Sequence, residues 1–172
     1  MQQRRISYPD IFMYRKILIC ALVIYSSTLP ARANNDVGEN ELTSQDLSTV
    51  VTEAKSWRGT RYRYGGKDKN GIDCSHFVYA VYSHVFEGYD YRMAGEYLRD
   101  STFAATKAPL VGDIIVFPAV RGLSEHVGII TDVDDTKFIG AQTSTGVREA
   151  SFAPGTYWGK RPYKIVSLLP EE

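Results

Sequence analysis

Cysteine is scarce in this sequence: 172 residues contain two, Cys20 and Cys74. One cysteine in the folded part and scattered histidines do not make a zinc-ligand spacing, so no metal and no cofactor is expected. An excess of positive charge is also missing. Lys plus Arg number 20 and Asp plus Glu number 20, so no basic face announces a nucleic-acid partner. Long apolar runs are absent too, because Ile17 to Tyr25 is too short to span a bilayer. There are no internal repeats and no low-complexity tracts. What remains is ordinary for a single globular domain, with 44% hydrophobic and 23% charged residues. Tyrosine is abundant at 12 residues, which suits a cleft for a polar ligand.

The short apolar run has a meaning of its own. Arg15 and Lys16 precede it and Ala31-Arg32-Ala33 follows, with small residues at the two positions a signal peptidase reads. Residues 1–33 are therefore expected to be a cleaved secretory signal, with Met13 an alternative start. The competing reading is an uncleaved anchor. Cys20 stands directly behind the charges, which leaves no apolar run before it for a lipoprotein signal. Cleavage removes five basic residues (Arg4, Arg5, Arg15, Lys16, Arg32) and one acidic residue (Asp10), leaving 15 basic and 19 acidic, a net of −4. It also leaves Cys74 alone. An unpaired thiol in an oxidising compartment is a liability unless it is buried or used.

Residues 34–43 are polar and asparagine-rich and read as a flexible leader, with the domain proper at 44–172. Ser44 caps a helix whose Leu47, Val50, Val51, Ala54 and Trp57 trace one face, and Gly59 stops it. In Gly59 to Gly66 tyrosines alternate with arginines, so Tyr62 and Tyr64 should share one side of an extended segment. Gly65-Gly66 predicts a turn or a close backbone approach. Met93 to Leu98 reads as a short helix and Ser101 to Ala108 as irregular. From Pro109 the pattern changes to strands at 110–117, 126–133, 137–143, 146–151 and 163–169, joined by short turns. Helices first and a meander afterwards make an α+β domain, an antiparallel sheet with the N-terminal helices packed against it.

The chain's chemistry centres on Gly71-Ile72-Asp73-Cys74-Ser75-His76. Asp73 is a good N-cap, and Phe77, Ala80, Val81, His84 and Val85 recur at helix spacing. A thiol in the first turn of a helix meets the positive end of the macrodipole and unpaired N–H groups, which favour the thiolate. The plainer alternative is a small buried hydrophobe. A cysteine nucleophile needs a base within hydrogen-bond reach. His76 lies about 200° around the helix from Cys74, so it is expected to point away as a surface side chain. His84 falls on the apolar face and reads as a core histidine. His126 opens the strand HVGIITDV after a polar loop, which places it at a sheet edge beside a cleft and makes it the candidate base.

In order along the chain stand GTRYRYGG, GIDCSHFV, GDIIVF, HVGIITD, KFIGAQTSTGV and a late Tyr157-Trp158. Together these blocks resemble the NlpC/P60 family of papain-like cell-wall cysteine peptidases. The likeness runs from about Trp57 to Trp158. It implies the papain-like antiparallel sheet with the nucleophile helix packed on it, Cys74 as nucleophile and His126 as base. The implied substrate is a peptidoglycan stem peptide, commonly cut between γ-D-glutamate and a diamino acid. Tyr62 matches the cleft tyrosine. Asp73 and Ser75 flank the nucleophile, where some relatives receive the ammonium of a free N-terminal L-Ala; helix capping is the alternative for both. With the signal, the resemblance implies an exported protein of the periplasm or cell envelope, or a secreted one, with no stable membrane insertion.

Two positions depart from the family pattern. His76 replaces the glycine that usually follows D-C-S. Gly140, in Phe138-Ile139-Gly140-Ala141, replaces the histidine that usually orients the base. Gln142 projects from the same strand face two residues on, so its amide oxygen is the candidate third catalytic group. A backbone carbonyl, a water or a bare Cys–His dyad are the alternatives. The implied function is a cysteine endopeptidase. A non-catalytic or catalytically weak murein-binding domain, and an amidase or acyltransferase on the same fold, are the competing readings.

Overall fold

The computed structural model describes residues 4–5 and 44–168. The expected signal-peptide core and leader therefore lie outside the described residues. A short strand, β1 (Arg4–Arg5), pairs in parallel with β4 (Phe86–Glu87).

Helix α1 (Ser44–Ser56) buries Leu47, Val50, Val51 and Ala54, the stripe predicted from spacing. Gly59 ends this segment at φ +86, where its N–H reaches the carbonyl of Val147. The next stretch does not behave as predicted. Tyr62 packs against the core, whereas Tyr64 is 90% exposed. The turn at Gly65-Gly66 ends the alternation: Gly66 donates to the Arg63 carbonyl, and a Cβ there would sit 2.2 Å from the Gly71 oxygen. The small hairpin of β2 (Lys67–Asp68) and β3 (Gly71–Ile72) then delivers the chain to helix α2 (Cys74–Val85).

Helix α2 buries Ser75, Phe77, Val78, Val81 and Tyr82. This stripe turns away from His84, which is exposed, with its Nε2 3.8 Å from Glu53. The core assignment of His84 is thus corrected: the apolar face is centred on Val78 and Val81, one side short of position 84. The expected short helix before the sheet is one turn of 3-10 helix, Glu96–Leu98. Within the supposedly irregular stretch, β5 (Ala104–Ala105) adds an edge strand.

The sheet contains β5, β6 (Ile114–Phe117), β7 (His126–Asp132), β8 (Lys137–Gln142), β9 (Gly146–Ser151) and β10 (Lys164–Ser167), in the order β5-β10-β6-β7-β8-β9. Every pairing is antiparallel. Because side chains alternate, the sheet has two apolar faces. Ile114, Val116, Val127, Ile129, Ile139, Ala141 and Val166 meet the helices in one cluster. Ile115, Phe117, Ile130 and Phe138 meet Phe152 and Trp158 in a second cluster on the opposite face. Each buried side chain of this size contributes about 1.5–3 kcal/mol. His126 opens an interior strand, opposite Phe117, and not an edge strand.

Candidate active site

The site forms where the first turn of α2 meets the beginning of β7. Asp73 adopts φ −93 and ψ 175, and its carboxylate accepts the His76 N–H at 2.8 Å, the geometry of an N-cap. The same carboxylate accepts the Ser75 hydroxyl at 2.9 Å and the Gly65 N–H at 3.0 Å. Nδ1 of His76 lies 3.0 Å from both oxygens. Burial opposes ionisation of Asp73, but the hydrogen bonds from His76 and Ser75 outweigh it and hold the carboxyl below its ordinary range.

The expectation of a surface-pointing His76 is therefore corrected. Its side chain is 15% exposed, folds back onto its own cap and stacks on Tyr91 at 4.5 Å and 28°. An imidazole at this third helical position reaches the capping carboxylate directly, so it does not extend into solvent. The Tyr91 hydroxyl completes the cluster, 3.1 Å from the Ser75 hydroxyl.

Cys74 is half-buried, and its thiol receives the N–H of Val127. That amide belongs to the peptide joining His126 to Val127, so the sulfur rests against the start of β7. The N–H groups of Cys74 and Ser75 also favour the thiolate. Burial nevertheless dominates and, with the Asp73 carboxylate close by, pushes the thiol up. The predicted thiolate bias of the helix N-terminus is thus present but outweighed.

His126 is 7% exposed, on the face of β7 that carries the second core. Its ring stacks on Trp158 at 4.5 Å and 25°, with Phe117 and Phe138 each at 6.1 Å. Its Nε2 is buried with no hydrogen-bond partner among the described residues. That nitrogen is directed at Gly140, where a Cβ would stand 3.1 Å away. Burial, followed by the Arg161 guanidinium, holds the imidazole far below its usual range, at about 3.

Gln142 is not brought to this ring. Its amide donates to the Arg148 carbonyl at 3.2 Å, and its oxygen accepts the Thr145 hydroxyl at 3.4 Å. The end of β8 and the turn into β9 offer those partners locally, so sharing a strand face with Gly140 is not enough. Tyr62 does reach the site. Burial, then Cys74 and Asp73, raise its phenol above the ordinary value, against a hydrogen bond with the Thr143 side chain. Thr143, Tyr91, Trp158 and Arg161 are the neighbours that sequence reasoning did not assign. Only the Tyr157-Trp158 pair carried a signal. Among the described residues no group of three or more His, Cys, Asp or Glu could hold a metal ion.

The NlpC/P60 family profile matches residues 59–167. The chain is 32% identical over 143 residues to murein DD-endopeptidase MepS/murein LD-carboxypeptidase of Escherichia coli K12, covering 79% of this chain and 71% of that protein. It is 30% identical over 146 residues to the probable endopeptidase NlpC of the same strain, covering 82% and 93%. Among solved structures, the NlpC/p60 domain of the peptidoglycan hydrolase SagA aligns with a TM-score of 0.53 at 28% identity, covering 69% of this chain and 97% of that one. A Bacillus cereus NlpC/P60 protein aligns with a TM-score of 0.59 at 20% identity, covering 81% and 44%, a likeness of fold.

Proposed function

The chain belongs to the NlpC/P60 family, and on that premise we propose that it is an exported peptidoglycan hydrolase, a cysteine endopeptidase acting on stem peptides. The bond assigned to it is the γ-D-glutamyl–diamino acid bond. The observation that supports the reading is that the Val127 N–H favours the Cys74 thiolate, so this sulfur lies beside the peptide leading out of His126.

No hydrogen bond joins the Cys74 thiol to the His126 ring among the described residues, and the role of base is given to Nδ1 of His126, the nitrogen not turned toward Gly140. The resting pair is a neutral thiol and a neutral imidazole, since one group is pushed up and the other down. The proton therefore leaves sulfur as sulfur attacks the scissile carbonyl carbon. It passes to His126, and the carbonyl electron pair becomes a tetrahedral oxyanion. The Cys74 N–H, with the Tyr62 hydroxyl beside it, stabilises that oxyanion. A donor of this kind is typically worth about 10²–10³ in rate. The imidazolium then protonates the leaving amine, the C–N bond breaks and a thioester remains. His126 deprotonates a water that hydrolyses the thioester and regenerates the thiol.

Asp73 and Ser75 hold the nucleophile helix, and their hydrogen bonds to His76, Gly65 and Tyr91 occupy the groups that would receive a substrate ammonium. Capping is therefore the role the geometry supports for them. The test is direct. Purified chain and its Cys74→Ala variant are incubated with peptidoglycan, and released fragments are identified by mass spectrometry. Fragments from the wild type alone support the proposal. A wild type that binds sacculi and releases nothing overturns it in favour of a murein-binding domain. That alternative draws on one observation, the unpartnered Nε2 of His126.

A further inference from the structure

The imidazole of His126 poses a problem that the reaction scheme leaves open. A base must keep its plane and its reacting nitrogen aimed at the thiol, and a hydrogen bond to the far nitrogen is the usual means. Here the far nitrogen, Nε2, is buried without a partner among the described residues. The backbone of β8 occupies the position from which a side chain could have served it. The ring has settled so near Gly140 that a Cβ there would press on Nε2 at 3.1 Å and on the Val127 carbonyl at 3.3 Å.

Three aromatic rings touch the imidazole, and they are not equivalent. Phe117 and Phe138 stand at 6.1 Å with tilts of 37° and 68°. Trp158 lies at 4.5 Å and 25°, a parallel stack. Rotation of the imidazole about its own χ2 would drive its edge into the indole, so the stack fixes the ring plane. The indole is itself secured. Phe117 packs on it at 4.7 Å, Phe138 meets it edge-on at 5.4 Å and 90°, and the Arg161 guanidinium lies 5.2 Å above it. Arg161 donates from Nη2 to the Ser124 carbonyl at 2.7 Å. Ser124 belongs to the loop that delivers His126, so one guanidinium ties the Trp158 turn to the segment preceding the base.

That turn has little freedom. The Thr156 hydroxyl reaches the Ser151 and Ala153 carbonyls at 2.9 and 2.8 Å, and a Cβ at Gly159 would fall 1.9 Å from the Ala153 oxygen. Such packing resembles a structural core more than a flexible lid.

We propose that Trp158 is the positioning residue for the His126 base, holding by ring stacking the orientation that a hydrogen-bonding side chain at position 140 would otherwise supply, with Arg161 locking the indole in place. The proposal deepens the peptidase reading and rests on it for the role of His126. Stacking fixes the plane of the ring without demanding charge on it, so it serves the neutral imidazole at rest and the imidazolium formed during attack.

Two substitutions separate stacking from mere space-filling. Trp158→Phe keeps an aromatic face against His126, and Trp158→Leu supplies apolar bulk without one. Both are compared with wild type and His126→Ala by kcat and KM on a purified stem peptide, with melting temperatures measured alongside. The expected result is kcat within about 3-fold of wild type for Trp158→Phe and a loss of about 10–100-fold for Trp158→Leu, at similar KM. A folded Trp158→Leu that turns over like Trp158→Phe overturns the proposal. So does an equal loss in both variants, which would mark a purely structural role. If Trp158→Leu does not fold, Trp158→Met decides: a kcat at least about 10-fold below that of Trp158→Phe at similar KM supports the proposal, and turnover equal to that of Trp158→Phe overturns it. Turnover that survives in His126→Ala instead sinks the peptidase reading, whatever Trp158 does.

Discussion

The two halves of the site are held by different physics. Cys74, the proposed nucleophile, stands on a polar knot, in which one carboxylate, Asp73, takes hydrogen bonds from the backbone of Gly65 and His76, the Ser75 hydroxyl and the His76 ring. His126, the proposed base, stands in an aromatic box, and its inner nitrogen has no hydrogen-bond partner among the described residues. The two arrangements tolerate change differently. Polar knots fail by leaving buried partners unsatisfied, at a cost of about 1–3 kcal/mol per group. Aromatic boxes fail by loss of shape, and they impose on their occupant the charge state that burial prefers.

The largest expected effect removes the feature both halves serve. Cys74→Ala should lower fragment release by about 10⁴-fold or more while leaving thermal stability nearly unchanged, because the thiol is a small part of the core. Residual release within 100-fold of wild type, measured by mass spectrometry, would show that the two halves do not converge on that sulfur.

The next test concerns acid. The unfolded chain protonates His126 near its ordinary value of about 6.5, whereas the folded protein refuses the proton down to about 3. The unfolded state therefore binds more protons across that window. Stability present above pH 6.5 is lost as pH falls toward 3, by an amount of the order of 4 kcal/mol from this residue. Chemical denaturation at pH 7 and pH 4 should show the loss in wild type and a smaller one in His126→Gln. Equal losses in both would mean that the aromatic box does not exclude the charge. The same placement predicts that kcat/KM shows no acid limb near pH 6.5.

Asp73 tests the other half, with a smaller effect. Asp73→Ala should destabilise by about 2–3 kcal/mol, read as a fall in melting temperature, because it removes a cap and strands the Gly65 and His76 N–H groups, leaving the Ser75 hydroxyl with Tyr91 alone. Asp73→Asn keeps an oxygen for the His76 N–H and should recover part of that. If both substitutions cost the same, charge and not capping holds the knot.

The N-cap at the centre of the polar knot was legible in the sequence because it is local. A cap, its helix and its first-turn partners fall within four residues, and Asp73-Cys74-Ser75 announces them. The sheet was legible for the same reason, through alternating apolar residues bounded by turns, although β5 is two residues long and has no pattern to read. The aromatic box was not legible. Phe117, His126, Phe138 and Trp158 come from four separate segments and meet only because β6, β7 and β8 pair in one register. His76 was misplaced for a related reason: a helical wheel gives the direction of its Cβ, not that its ring finds a carboxylate one turn back.

The smallest expected effect bears on the third catalytic group. Gln142 and Gly140 share a strand face, which made Gln142 the natural substitute for the residue that Gly140 lacks. Its amide is instead spent on the Arg148 carbonyl and the Thr145 hydroxyl, at the turn that closes β8 and β9. Gln142→Ala should therefore leave kcat within about 2-fold of wild type, with a loss of stability near 1 kcal/mol from two partly exposed hydrogen bonds. A 10-fold fall in kcat at unchanged KM would show that the amide reaches Nε2 of His126 when substrate is bound. The base would then be hydrogen-bonded like the nucleophile, and the contrast between the two halves would belong to the substrate-free state alone.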